Sequence, residues 1–481
     1  MRFETIKSEW FSMVSRDVVA GVTVAFALIP EAIAFSMVAG VNPMVGLYGS
    51  FIIGVVVAFF GGRTGMISGA TGSTALLMVL LVKDHGVQYL FATGIMVGLI
   101  QLVMGYLRLS RFIRFVPVVV ITGFVNALAI LIFLAQLPRL EGAGLVAYGM
   151  VAATLMIVYG LPRLIKGVPA ALAAVVLMTV LTVVFGWHLQ NVGDIGHLVG
   201  HLPYFHIPRV PMSFHTLAVV FPYAVPIAVV GSLETLLTAT VVDDMTATKS
   251  DKDREIRGQG IANLATGFFG AMAGSAMIGQ TIISVELGGR KRLATFIAGG
   301  FLITLIVVLR AWVSMVPVAA LVGVMFMVAT NTFEWKSLRD LHKIPRFDAV
   351  VMISTVVTVV VTNDLALGVL LGVILSAVGF GWQMTRIHAE IHSLSDGTKV
   401  YVIRGQMFFG TMMPFVDLFD VAEDPDNVIL DFRHSHVWDH AGVIGIQKVV
   451  EKYRLHAKTI EIRGLNAESA DLMQRLDSLA G

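Results

Sequence analysis

Ser68-Gly69-Ala70-Thr71-Gly72-Ser73 and Ala273-Gly274-Ser275-Ala276-Met277-Ile278-Gly279-Gln280 each interrupt a long apolar run and then open into further apolar sequence. In a bilayer, irregular backbone is tolerated only where protein buries it or where it lines a cavity. A matched pair of interruptions in two halves of a chain is the best sequence pointer to a central site between membrane segments. Half-helices starting at Thr71 and Met277 would aim free N–H groups and positive dipole ends at mid-membrane, a setting that favours an anion. The candidate binding groups are Thr71, Ser73, Ser275 and Gln280, with the N–H groups of Gly72 and of Ala276, Met277, Ile278 and Gly279. Neither stretch holds a Lys or Arg, so binding would rest on dipoles and uncharged donors, with the moderate affinity that release requires. Tight helix packing explains the small residues but not their paired placement.

The surrounding chain has 481 residues, 56% of them hydrophobic and only 14% charged, with mean hydropathy +0.82. That predicts a polytopic α-helical membrane protein and excludes a soluble enzyme. A net charge of +2 gives no case for a nucleic-acid partner. The absence of cysteine excludes disulfides and thiolate metal sites. Met1–Arg16 carries no separate leader with a small-residue cleavage site, so the first apolar run is read as a retained span. Basic residues gather at Arg2, Lys7 and Arg16, at Arg63, at Arg108, Arg111 and Arg114, at Arg163 and Lys166, and in 249–257, 290–292 and 336–346. The alternate connections hold only Lys83, Arg139, Arg209 and Arg310. By the positive-inside rule the N-terminus is cytoplasmic, and an even number of spans returns the C-terminus there.

About fourteen membrane segments are expected within 1–390. Seven run from about 17 to 186, with breaks near Gly40, Gly61, His85, Arg111, Arg139 and Lys166, and seven from about 215 to 381. Both halves place the interrupted stretch at their third element, which implies 7+7 inverted repeats. After Gln383 the character changes. Strands are predicted at 398–404, 427–432 and 459–463 and helices at 441–455 and 467–476, giving a small α/β domain over 397–481.

Two carboxylates lie inside apolar runs. Glu31 follows Pro30, whose missing N–H loosens the helix, and an ionisable group at mid-bilayer costs about 2.5–3.5 kcal/mol and is a functional candidate by default. Glu234 has Thr238 four residues on, on the same helical face, so the pair could hold a coupling proton or sodium ion. A proton is the simpler choice because two carboxylic acids are available, with Glu31 or Glu234 taking it up outside and releasing it inside. Glu31, Glu234 and Thr238 are thus the coupling-ion candidates. The bland alternatives are a structural acid bonded to freed carbonyls for Glu31 and a packed polar patch for Glu234. His188, His197, His201, His206 and His215 match no metal-ligand spacing, so no metal and no cofactor beyond the coupling ion is expected. Asp243 and Asp244 precede a charged connection, and the many methionines read as core filler.

Pro30, Ala34, Ala39-Gly40-Val41-Asn42-Pro43 and Gly46-Leu47-Tyr48 resemble the first-helix signature of the sulfate permease (SulP) anion-transporter family. Gly258-Gln259-Gly260-Ile261-Ala262-Asn263, then Gly267 and the break at Gly274, are similar to that family's ninth and tenth segments. Residues 397–481 resemble a STAS domain. The resemblance implies fourteen segments in two inverted repeats, a transport domain moving against a gate domain, and usually a homodimer. It implies substrate between the third and tenth segments, at Thr71–Ser73 and Ala276–Gln280, with the coupling-ion position at Glu234 and Thr238. This chain has Glu31 where the family often has Gln, Ala70 where Pro is frequent, and His440 where Ser or Thr often follows Asp439. The first departure favours a proton role, and the last argues for scaffolding over phosphorylation switching.

The expectation is a secondary transporter in the cytoplasmic membrane, moving sulfate, bicarbonate or a dicarboxylate by proton symport and alternating access. Its rivals are a sodium-coupled bicarbonate-type symporter, a nucleobase transporter of the same core fold, an anion channel, and a membrane anchor for a signalling domain. The sequence leaves open which anion is carried, the choice between symport and exchange, and whether the C-terminal domain regulates or only scaffolds.

Overall fold

The computed structural model describes residues 3–111, 116–164, 169–196 and 202–480; Arg114, Lys166, His197 and His201 lie outside them. The chain forms two compact units, Met1–Val373 and Ile374–Gly481.

In the first unit, α1 (Phe3–Trp10) leads into α2 (Val14–Val38) and α3 (Pro43–Phe60). A two-residue strand, β1 (Ser68–Gly69), precedes the short α4 (Gly72–His85). Then come α5 (Val87–Tyr106), α6 (Val118–Leu134), α7 (Gly144–Leu164), α8 (Ala170–Phe185) and the single turn α9 (Val192–Ile195). The second half repeats the rhythm with α10 (Phe214–Thr246), α11 (Lys252–Phe268), β2 (Ser275–Ala276) and the short α12 (Ile278–Glu286). It continues through α13 (Arg292–Ser314), α14 (Val318–Thr332), α15 (Trp335–Arg339), α16 (Arg346–Thr362) and α17 (Leu365–Met384). Among the described residues, eight helices are long and apolar enough to cross a membrane, and α8 and α14 are shorter apolar ones.

Local chemistry explains the boundaries. Gly40, at φ +74°, ends the turn after α2, and the Asn42 side chain then caps α3 by accepting from Met44 N–H at 2.9 Å, with Pro43 at the first helical position. Ser213 and Asp251 cap α10 and α11 in the same way. Pro30 does not break α2, which runs through it from Val14 to Val38. Packing against α3 and α13 holds the helix across the lost hydrogen bond.

The helices sort into two groups. α2, α3, α4, α5, α10, α11, α12 and α13 pack mainly on one another, while α6, α7, α8, α14 and α16 form the second group. Within the first, α5 and α11 cross so closely that a Cβ on Gly98 would sit 2.4 Å from Leu264 N and 2.6 Å from Gly260 O.

The second unit carries the sheet β3 (His388–Ser393), β4 (Lys399–Met407), β5 (Asn427–Val437) and β6 (Thr459–Arg463), in that order. β4–β5 and β5–β6 are parallel and β3–β4 antiparallel. α18 (Met412–Val416), α19 (His440–Leu455) and α20 (Ala467–Ala480) complete it. β3 begins at His388, before the expected domain start at 397; its edge sequence is nearly all exposed and gives no apolar alternation. Asp424 is buried among Lys399, Tyr401 and Tyr453, all of which donate to its carboxylate. Burial alone would push this carboxyl up, but the Lys399 ammonium and the two phenols outweigh it and hold it below the ordinary range.

Candidate functional site

The two interrupted stretches meet. β1 and β2 pair antiparallel, with Ser68 opposite Ala276 and Gly69 opposite Ser275, and both are buried. Met277 N–H adds a bond to Ile67 O at 2.9 Å. Gly274 has no room for a side chain, since its Cβ would lie 1.9 Å from Gly69 O. From this crossing α4 and α12 depart, with Thr71 and Met277 at their N-cap positions and neither capped by its own side chain. The first N–H groups of both helices therefore remain available donors.

Glu234 of α10 reaches this crossing. Ser73 Oγ donates to Glu234 Oε2 at 2.6 Å, and Ser275 Oγ donates to the same oxygen. Thr71 Oγ1 lies 3.0 Å from Ser275 Oγ, 3.2 Å from Ser73 Oγ and 3.1 Å from Thr74 Oγ1, so one hydroxyl network joins both half-helix starts to one carboxylate. Glu234 is only 9% exposed, and Ser73 and Ser275 are fully buried. Glu31 lies elsewhere: Gln280 Nε2 donates to both of its oxygens at 2.5 Å, tying α12 to α2.

Three sequence expectations change in detail. Thr238 shares a helix with Glu234, but its hydroxyl bonds back to the Glu234 carbonyl at 2.7 Å instead of facing the carboxylate. The N–H groups of Ala276 and Met277 are taken by Thr235 Oγ1 and Ile67 O, which leaves those of Ile278 and Gly279 for a ligand. Gln280 is engaged by Glu31. Space exists on the α12 side, where a Cβ on Gly279 would meet nothing within 4 Å. Gly72 is crowded, with Phe35 and Ile132 carbons 3.0 Å from where its Cβ would stand.

Other positioning residues carried no sequence-level role. Gly274 N–H donates to Asn263 Oδ1 at 2.9 Å, while Asn263 Nδ2 and Gln259 Nε2 donate to Gly274 O at 3.0 and 2.9 Å. Asn263 Nδ2 also reaches Gln101 Oε1 at 2.8 Å. Ser50 Oγ accepts from Ala70 N–H at 3.1 Å, and Thr281 Oγ1 from Ile67 N–H at 3.0 Å. Gln259 and Asn263 stand four apart on a buried face of α11, and that polar pairing was the available signal.

Two half-helices meeting over a buried carboxylate, among helices long and apolar enough to cross a membrane, are the arrangement found in transport proteins built on broken segments. Residues 14–152 and 145–355 match the sulfate permease family, and residues 392–479 match the STAS domain. The chain belongs to the sulfate permease family, a family of multi-pass membrane anion transporters and not of enzymes. It is 50% identical over 472 residues to "Putative sulfate transporter YbaR" of Bacillus subtilis (strain 168), covering 98% of this chain and 99% of that protein. The transmembrane domain of a cyanobacterium bicarbonate transporter, BicA, matches with TM-score 0.67 at 27% identity, covering 74% of this chain and 97% of that one. The murine Slc26a9 anion transporter in its inward-facing state shares the fold, with TM-score 0.83, 16% identity and coverage of 98% and 89%. The family match sets aside the nucleobase rival.

Proposed function

We propose that this protein is a secondary active transporter that imports a small anion across the cytoplasmic membrane by proton symport, with the crossing of α4 and α12 as its binding site. The observation that carries this reading is the convergence of Ser73 and Ser275 hydroxyls on one oxygen of Glu234. The carboxylate there collects the donors that a bound anion would need. Two unit negative charges about 4 Å apart repel by about 4 kcal/mol at an effective dielectric of 20. An ionised Glu234 and a substrate anion therefore exclude each other, and a proton on Glu234 removes the conflict. Anion and proton then enter the site together.

Thr71, Gly72, Ser73, Ile278 and Gly279 supply the substrate donors in this scheme, with Glu234 carrying the proton. Glu31 holds Gln280 and orients α12. The two packed helix groups suit alternating access, the first rocking as a body against the second, and the fourteen segments serve as two inverted repeats of seven. Sulfate is the first anion to test, given the name of the relative at 50% identity; bicarbonate and dicarboxylates follow. In this reading both termini lie in the cytoplasm and the protein works as a homodimer. The STAS domain acts as a scaffold, with His440 following Asp439, whose side chain caps α19.

Sodium coupling is the second reading, because the oxygens of Thr71, Ser73, Ser275 and Glu234 cluster as a hard cation requires. Uptake of labelled sulfate, bicarbonate and fumarate into proteoliposomes, with an imposed proton gradient and no sodium, separates the two. Accumulation of one anion, abolished in Glu234→Gln, is the expected result. Accumulation only when sodium is added transfers the coupling role to sodium. Uptake that neither saturates nor exchanges would mark a channel.

A further inference from the structure

A groove of about 170 Å³ opens between α2, α8, α13 and α14. Pro30 and Ile33 of α2 and Leu321 of α14 form its buried floor. Val176 and Val180 of α8 and Trp312 of α13 form its lip and are 52%, 41% and 65% exposed. Two lining side chains carry a polar atom: Thr179 spends its hydroxyl on Val175 O at 2.7 Å, and Trp312 has its indole N–H at the lip. Below the lip, water would find no free donor on these side chains. An apolar cavity of about 150 Å³ stays dry and accepts apolar guests. Left empty, the lining would forfeit dispersion contacts on one side.

What meets the lip is fixed by where the groove lies. α2 and α13 are long and apolar enough to cross a membrane and α8 and α14 are shorter apolar helices packed beside them, so in a bilayer the exposed valines and Trp312 would meet lipid. We propose that the groove is a binding site for one acyl chain of a membrane phospholipid. Its walls come from both helix groups, α2 and α13 from one and α8 and α14 from the other. A seated chain is therefore a wedge at the seam between them. Its floor residue Pro30 adjoins Glu31, whose carboxylate holds Gln280. The proposal rests on the membrane fold and is independent of which anion or coupling ion is used.

The test uses the full-length protein in vesicles doped with phosphatidylglycerol that carries a photoactivatable group at mid-chain, with crosslinked peptides mapped by mass spectrometry. Labelling of 170–185 and 309–316 is expected to exceed, several-fold, that of the lipid-exposed face of α7 around Met156. The double substitution Val176→Phe and Thr179→Phe fills the groove and should remove that excess while leaving α7 labelling unchanged. Native mass spectrometry of protein in detergent supplies a second readout, one retained phospholipid that the filled variant loses. The single substitution Thr179→Val keeps the volume and should keep both signals, which guards against misfolding of the filled variant. Labelling spread evenly over all bilayer-facing helices, or unchanged by filling, would show ordinary surrounding lipid and overturn the proposal.

Discussion

At the start of α4, Thr71 shares hydrogen bonds with the hydroxyls of Ser73, Thr74 and Ser275, and Ser50 holds Ala70. At the start of α12 the anchoring comes from another helix, where the amides of Gln259 and Asn263 grip both polar groups of Gly274. The two stretches match in position and differ in furnishing. The first is a cluster of mobile donors that can turn toward a ligand. The second is clamped backbone that presents Ser275 at a fixed point, with open space beside Gly279. Glu234 joins them, while Glu31 touches only the second. The comparison teaches that the site has one shared acid and two unlike walls.

Glu234→Gln attacks the shared acid and should have the largest effect. Proton-driven accumulation is expected to fall by on the order of tenfold or more, the factor that accompanies 1.4 kcal/mol. Downhill exchange should survive. In the wild type, rising pH ionises Glu234 and weakens anion binding through like-charge repulsion; in the variant, that pH dependence should be flat. Anion affinity measured at several pH values in detergent decides it. A wild-type pH profile preserved in Glu234→Gln would move the shared acid elsewhere.

The clamped wall is tested next. Gly274→Ala drives a methyl into Gly69 O and should cost about 1–3 kcal/mol, read as a thermal midpoint several degrees lower. Gly279→Ala enters open space and should stay within about 0.5 kcal/mol of the wild type. Equal midpoints for the two would erase the claimed difference between crossing and open side. Asn263→Ala leaves Gly274 N–H and Gln101 Oε1 without their partner, at about 1–3 kcal/mol for a buried polar group. Because Asn263 touches no substrate, the loss should show as a raised KM for uptake as Ser275 drifts from Glu234. Asn263→Asp keeps the acceptor for Gly274 N–H and should recover less than half of that loss, since its donors are gone.

The positions of the two half-helices were legible almost to the residue: α4 begins at Gly72 and α12 at Ile278, each just after its expected start. Glycines and small polar residues inside apolar runs mark such breaks because a bilayer does not tolerate them elsewhere. Glu31 and Glu234 stood out for the same reason. Their partners did not, because Ser73 and Glu234 are 161 residues apart and meet only through the crossing. Thr238 misled because i,i+4 spacing puts two side chains on one face without saying which backbone carbonyl the hydroxyl prefers. The amide clamp was visible only as two polar residues four apart in α11, with no local feature pointing to Gly274. β3 was missed because His388-Ala389-Glu390-Ile391-His392-Ser393 lies on an exposed edge and lacks the alternation that marks a half-buried strand.

Among the substitutions that act on transport, Glu31→Gln should give the smallest effect, and it bears most directly on the asymmetry. The replacement keeps the length and one carbonyl acceptor for Gln280 Nε2, so the α2–α12 tie survives as a neutral hydrogen bond. Exchanging the carboxyl for an amide in that bond should change it by about 1 kcal/mol, equivalent to roughly fivefold in anion affinity. Both partners lie within the same helix group, so the coupling of proton to anion should persist even as affinity slips. If accumulation in Glu31→Gln collapses as completely as in Glu234→Gln, the two acids act in one proton path and α12 is as central as the crossing. If instead only affinity changes, Glu31 is a brace, and the shared acid at the meeting of the half-helices carries the coupling alone.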